Sequence, residues 1–184
     1  MNAAAAAADA ADMRALRAGE SPALDRLMQR WQQPLQSYLA RLVGDPHEAR
    51  DLAQETFVRV FRHASRFHPG ARFSTWMFQI ALNLARDHLR RRSRRPTTSV
   101  DFLAASPDAA PSPLRATEDA EIAVAVRDAI HALPDSFRDV LLLATYQHLP
   151  HAEIACIVGT SVKAVESRLH RARDLLRARL RRWY

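Results

Sequence analysis

The chain has 184 residues, 27 basic and 20 acidic, giving a formal charge of +7 and a pI near 10.8. With 48% hydrophobic and 26% charged residues it can bury a core, which excludes a wholly disordered protein, and the absence of any run of about 18 uncharged apolar residues excludes a transmembrane helix. A single cysteine, Cys156, excludes an intrachain disulfide framework and a cysteine-rich zinc site, so a cytoplasmic location is expected.

The alanine run Ala3 to Ala8 lacks a basic lead-in and is followed by Asp9 and Asp12. A secretory signal would tolerate neither, and residues 1–19 read as a frayed, disordered tail. Ser21-Pro22 then has the form of an N-cap and first turn, and Leu24, Leu27, Met28, Trp31, Leu35, Tyr38, Leu39 and Leu42 recur at helical spacing, with Pro34 expected to kink the helix. Asp45-Pro46-His47-Glu48 supplies a cap, a first-turn proline and a carboxylate three residues beyond the cap, so a second helix starts there and buries Leu52, Thr56 or Phe57, and Val60. His68-Pro69-Gly70 breaks the chain before a third helix from about Ser74, which buries Trp76, Met77, Ile80 and Leu84 and ends in Arg86, Arg90, Arg91, Arg92, Arg94 and Arg95.

Residues 96–117, rich in proline and without apolar periodicity, read as a flexible linker. Charge changes sign across it: residues 1–95 hold 16 arginines against 9 acidic residues, 96–131 hold 2 against 6, and 132–184 hold 9 basic residues against 5. Helical patterns resume over Ile122 to Ala132, from Asp135 or Ser136 as cap through Ala144, over Ala152 to Ile157, and from Val162 to about Arg182. The expected fold is all-α, with a helical module over 20–95, the linker, and a second helical module over 118–184.

The most specific local pattern is Glu153 to Val165. A helix-turn-helix needs a small residue where its helices cross, a glycine at the turn and a branched apolar residue in the second helix, and Ala155, Gly159 and Val165 stand at those offsets. Val165, Leu169, Ala172, Leu176 and Leu180 form one stripe of that helix, leaving Lys163, Glu166, Ser167, His170, Arg171 and Arg173 outward, donors and acceptors suited to base edges and phosphates. In the first module Asn83, Asp87, Arg90 and Arg94 share a face with Arg86 beside them, as an element lying along a nucleic-acid backbone requires. Just before it, Arg66, Phe67, His68, Arg72, Phe73, Ser74, Thr75 and Trp76 mix cations with aromatics, as single-strand binding requires, with Trp76 read as core. Asp51 to Val60 interleaves polar and apolar side chains and reads as a protein-docking face; the spacing of His47, Asp51 and Glu55 is that of helix-surface charges more than of a metal site. There is no G-x-S-x-G, Walker, H-E-x-x-H or C-x-x-C motif, so no catalysis, cofactor or metal is expected, and Cys156 reads as buried and inert.

The blocks Asp51 to Phe61 and Phe73 to Asn83, the arginine run, Leu133 to Arg138, Glu153-Ile154-Ala155 and Ser161 to Arg173 together resemble the extracytoplasmic-function (ECF) group of bacterial RNA polymerase sigma factors, in the sigma-70 family. The resemblance covers about residues 20–95 and 118–182 and implies a non-catalytic initiation factor. It implies that Asp51, Gln54, Glu55 and Phe57 dock onto the clamp helices of the polymerase largest subunit, with the flap as a further polymerase contact. Arg66, Phe67, Arg72 and Ser74 would capture an unstacked base of the minus-ten element while Asn83, Arg86 and Arg90 hold its backbone. Lys163, Glu166, Ser167, Arg168, His170 and Arg171 would read the minus-35 duplex. Implied partners are core RNA polymerase, promoter DNA and a separate anti-sigma protein. The residue patterns alone also leave open a conventional helix-turn-helix regulator that acts without polymerase.

Overall fold

The computed structural model of the chain describes residues 3–94 and 113–183, and among these every regular element is helical. The first module holds α1 (Ala3–Arg17), α2 (Pro22–Val43), α3 (Pro46–Arg62) and α4 (Phe73–Arg94); the second holds α5 (Pro113–His131), α6 (Asp135–Thr145), α7 (His151–Val158) and α8 (Val162–Arg179). Single 3-10 turns follow α3 at Ala64–Arg66 and α8 at Arg181–Trp183.

The first module is built on α2. Its apolar residues fall on one stripe, and Leu27, Leu35, Tyr38 and Leu39 are fully buried against α3 and α4. Phe78 of α4 meets Tyr38 edge-on at 5.2 Å and Trp31 at 6.1 Å between ring centroids, so the centre of this core is aromatic. Pro34 lies inside α2, whose helical span is unbroken. Asp45 caps α3 as its sequence requires, accepting from the backbone N–H of His47 at 2.8 Å and of Glu48 at 3.3 Å.

Three local expectations need correction. The alanine-rich segment is not a frayed tail but a 15-residue helix, because alanine is the strongest helix former and Asp9, Asp12, Met13 and Leu16 present one buried face to α2. Asp9 accepts from the Trp31 indole N–H at 3.1 Å and from Arg30 Nε at 2.9 Å, while Asp12 takes Arg26 Nε at 2.6 Å and a second Arg30 contact. Burial alone would raise the Asp12 carboxyl, but hydrogen bonds and charge from Arg30 and Arg26 outweigh it and hold the group below its ordinary value. Ser21 makes no side-chain cap and has helical φ and ψ. The linker expected over 96–117 lies outside the described residues as far as 112, and from Pro113 the chain is already helical.

The second module closes around Val140, Leu142, Leu143 and Ile154, all fully buried, with Val165, Leu169 and Ala172 of α8 against them. His148 takes a φ of +50°, which turns the chain so that Leu149 is buried and its N–H reaches the Leu143 carbonyl at 3.3 Å before Pro150 leads into α7. The two modules also pack on each other, α4 against α7 and α2 against α6, and one contiguous apolar core runs through both. Gly44, the left-handed C-cap of α2, belongs to this junction: a Cβ there would meet the His131 ring at 3.2 Å.

Candidate nucleic-acid interface

The helix-turn-helix is formed by α7 and α8. Ala155 is buried at the crossing, Gly159 ends α7 at φ +70° with its N–H on the Ala155 carbonyl, and Ser161 caps α8 by accepting from the Ala164 N–H at 3.2 Å. Val165, Leu169, Ala172 and Leu180 are buried and Leu176 is half-buried, as the stripe required. Lys163, Glu166, Ser167, His170 and Arg171 are consequently exposed along one helix, and Arg168 is half-buried at its edge. Two histidine–carboxylate pairs flank this face, His151 with Glu166 at 3.5 Å and His170 with Asp174 at 3.3 Å. Cys156 is exposed on α7, contrary to the buried position expected of it.

On α4, Asn83, Arg86 and Arg90 do line up, since steps of three and four residues return to the same side of a helix. Gln79 is exposed on the same line, and its polarity one turn before Asn83 was the signal that would have extended the face. Asn83, Arg86 and Arg90 form one wall of a cleft of about 750 Å³ whose other wall is Asp135, Ser136, Arg138 and Asp139 of α6. Arg86 crosses it, donating to Asp139 Oδ2 from Nη2 at 2.6 Å and from Nε at 3.1 Å. Burial pushes the Asp139 carboxyl above its ordinary value, and the Arg86 hydrogen bonds pull it only part of the way back. Arg90 is exposed and paired with Asp87.

The loop before α4 is split by burial. Arg66 is exposed, and Arg72 is half exposed with Nη1 2.9 Å from Glu153 of α7. Phe67 and Ser74 are buried, Phe67 against Trp76 at 5.3 Å between ring centroids, so neither is free to stack on or bond to a base as expected. His68 holds the loop's turn by accepting from the Gly70 N–H at 3.2 Å.

On α3, Asp51 and Gln54 are exposed and Glu55 is half exposed, donated to by Arg59 Nε at 2.9 Å. Phe57 is 3% exposed and belongs to the core, which removes it from any docking surface. The apolar members of that face are Val58 and Phe61, 39% and 51% exposed, and their spacing from Asp51 and Gln54 in steps of three and four was legible in the sequence. Among the described residues no group of three or more His, Cys, Asp or Glu side chains is placed to hold a metal ion, and no helix is long and apolar enough to cross a membrane.

The family model for Sigma-70 region 2 matches residues 27–95, and that for Sigma-70, region 4 matches residues 123–176. The chain is 34% identical to the RNA polymerase sigma-H factor of Pseudomonas aeruginosa, over 86% of each chain. It is 32% identical to the ECF RNA polymerase sigma factor SigW of Bacillus subtilis, over 77% of this chain and 80% of that one. Its structure is similar to that of CnrH solved in complex with the cytosolic domain of CnrY, with a TM-score of 0.71, 27% identity, and coverage of 94% of this chain and 97% of the other. The chain belongs to the ECF group of the sigma-70 family, the RNA polymerase sigma factors that bind core polymerase and direct initiation through minus-10 and minus-35 promoter contacts.

Proposed function

We propose a division of labour in which α3 docks on core polymerase, α4 with the loop before it holds the minus-ten strand, and α8 reads the minus-35 duplex. The observation that carries it is the α8 face. Five polar side chains, Lys163, Glu166, Ser167, His170 and Arg171, stand exposed on a helix whose opposite stripe is buried in its own module. Such a helix enters a major groove with its packing intact; Arg171 and Lys163 meet phosphate or guanine, Ser167 and His170 donate or accept, and Glu166 accepts from cytosine.

The docking surface is Asp51, Gln54 and Glu55 with Val58 and Phe61, a polar rim around an exposed apolar centre. For the minus-ten strand, Arg66, Arg72, Asn83, Arg86 and Arg90 supply donors to phosphates. Phe67 and Ser74 support the loop from below. Extruding a base costs a few kcal/mol, which stacking and phosphate contacts must offset. The chain carries no catalytic role in this reading, works in the cytoplasm where polymerase and promoters are, and has a separate anti-sigma protein as a further partner.

Run-off transcription of fragmented genomic DNA by sigma-free core polymerase, with and without the protein, tests the reading. New, sharply defined 5′ ends sharing two upstream elements are expected. The Arg171→Ala protein should lose those starts while still binding core polymerase. Absence of new starts with folded protein would overturn it.

A further inference from the structure

We propose that His151 is a specificity-determining residue of the minus-35 reading face. From the first turn of α7 it holds the Glu166 carboxylate in position to accept from a base, so that the preference at one base pair belongs to the pair and not to Glu166 alone. The inference rests on the assignment of Glu166 to a base edge. His151 Nδ1 lies 3.5 Å from Glu166 Oε1, and both side chains are exposed. His170, one turn after Glu166 on the same helix, is turned to Asp174 at 3.3 Å, so the carboxylate of Glu166 meets a cationic side chain of the other helix instead.

Both ends of this contact stand on anchored backbone. The Pro150 carbonyl accepts from the Glu153 and Ile154 N–H groups at 2.9 and 3.1 Å, and Leu149 and Ile154, on either side of His151, are buried. Glu166 follows Val165, which is fully buried in the core, and the Ser161 cap fixes the turn before it. A glutamate on an exposed helix face otherwise moves freely among its rotamers, and beside a phosphate backbone its charge drives it toward solvent. A histidine on its flank opposes both effects. Imidazolium carries an N–H on each ring nitrogen, so with Nδ1 toward Glu166 the Nε2–H can donate to the DNA backbone, which the first helix of a helix-turn-helix crosses. One ring then ties a phosphate contact, which carries no sequence information, to a carboxylate that does. A carboxylate held in this way accepts from the exocyclic amine of cytosine and finds only acceptors on the major-groove edge of guanine.

The test is selection by the full chain from a pool of duplexes randomised over their central base pairs, with the bound fraction sequenced. The native chain should enrich a preferred base pair that Glu166→Ala relaxes about fivefold or more, the scale of one base contact. His151→Ala should relax that same base pair to a similar degree and no other, with an unchanged melting temperature, since the ring it removes is exposed. The double variant should lose no more than either single change, as two residues of one contact require. His151→Arg, which keeps a cation with N–H donors to spare for the carboxylate, should restore the preference, which a role in packing alone would not allow. A preference that stays sharp in His151→Ala while Glu166→Ala relaxes it overturns the pairing and leaves the base assignment standing. Relaxation at every position alike would make His151 an anchor of α7 and overturns the pairing too. If Glu166→Ala relaxes nothing, the base assignment itself falls and takes the inference with it.

Discussion

Phe57 and Phe61 are one helical turn apart on α3 and have opposite fates, 3% and 51% exposed. Phe57 fills the space between α3 and its neighbours, so Phe57→Ala leaves a cavity and should cost about 3–5 kcal/mol of stability in urea unfolding. Phe61→Ala removes an exposed ring and should leave stability within about 0.5 kcal/mol, while core-polymerase affinity measured by interferometry drops more than about fivefold. Equal loss of polymerase binding in a fully folded Phe57→Ala protein would reverse this assignment. The motif signals a docking segment, yet residue identity alone does not assign the two phenylalanines. The helical phase does, because Asp51, Gln54, Val58 and Phe61 fall on one side and Leu52, Ala53, Thr56, Phe57 and Val60 on the other.

At the scale of the element, α1 and the helix-turn-helix differ in how openly the sequence declares them. Gly159 stands where a turn needs positive φ, and no heavy atom lies within 4 Å of a Cβ placed there, so a substitution is opposed by backbone alone. Gly159→Ala should therefore cost about 1–2 kcal/mol, and Gly159→Asn less, in thermal unfolding of the full chain. By contrast α1 was hidden by its composition, since an alanine run signals helix without saying what would hold it. Its anchors are Asp9 and Asp12, acidic residues that pattern reading assigns to solvent and that burial makes legible only beside Arg26, Arg30 and Trp31. Folding favours ionised Asp12, so the unfolded chain binds more protons as pH falls below its ordinary value near 3.8. The contribution of Asp12 is present in full above about pH 4 and is lost as pH falls through the depressed folded value. Arg26 is nearly half exposed, which limits the contribution to about 1 kcal/mol. Between melts of the native chain and of Asp12→Asn from pH 6 to pH 3, the gap should narrow toward the acid end; curves that stay parallel would remove Asp12 from α1's attachment.

The whole molecule was legible as two helical modules, but their mating was not. Arg86 and Asp139 are 53 residues apart and Thr75 and Glu153 are 78 apart, and nothing local in either segment announces the other. What does carry over from composition to behaviour is the charge of +7, which acts on nucleic acid through counterion release whether or not bases are read. The open face of α8 gives that charge a place to act in the free chain. On a mixed-sequence duplex, Arg171→Ala should weaken binding and flatten the slope of log affinity against log salt by about 0.9, the signature of one lost phosphate contact. Glu166→Ala should do the reverse at low salt, because removing an exposed carboxylate from beside the backbone lowers repulsion, with affinity rising two- to fivefold on the order of one surface charge pair. On a cognate minus-35 duplex the same change should erode discrimination, since Glu166 can accept only from a base that donates. Titrations of both variants across a salt series distinguish the roles: a slope unchanged in Arg171→Ala would mean that this cation does not lie on a phosphate, and an affinity lowered in Glu166→Ala on mixed sequence would mean that its contacts orient α8 rather than read bases.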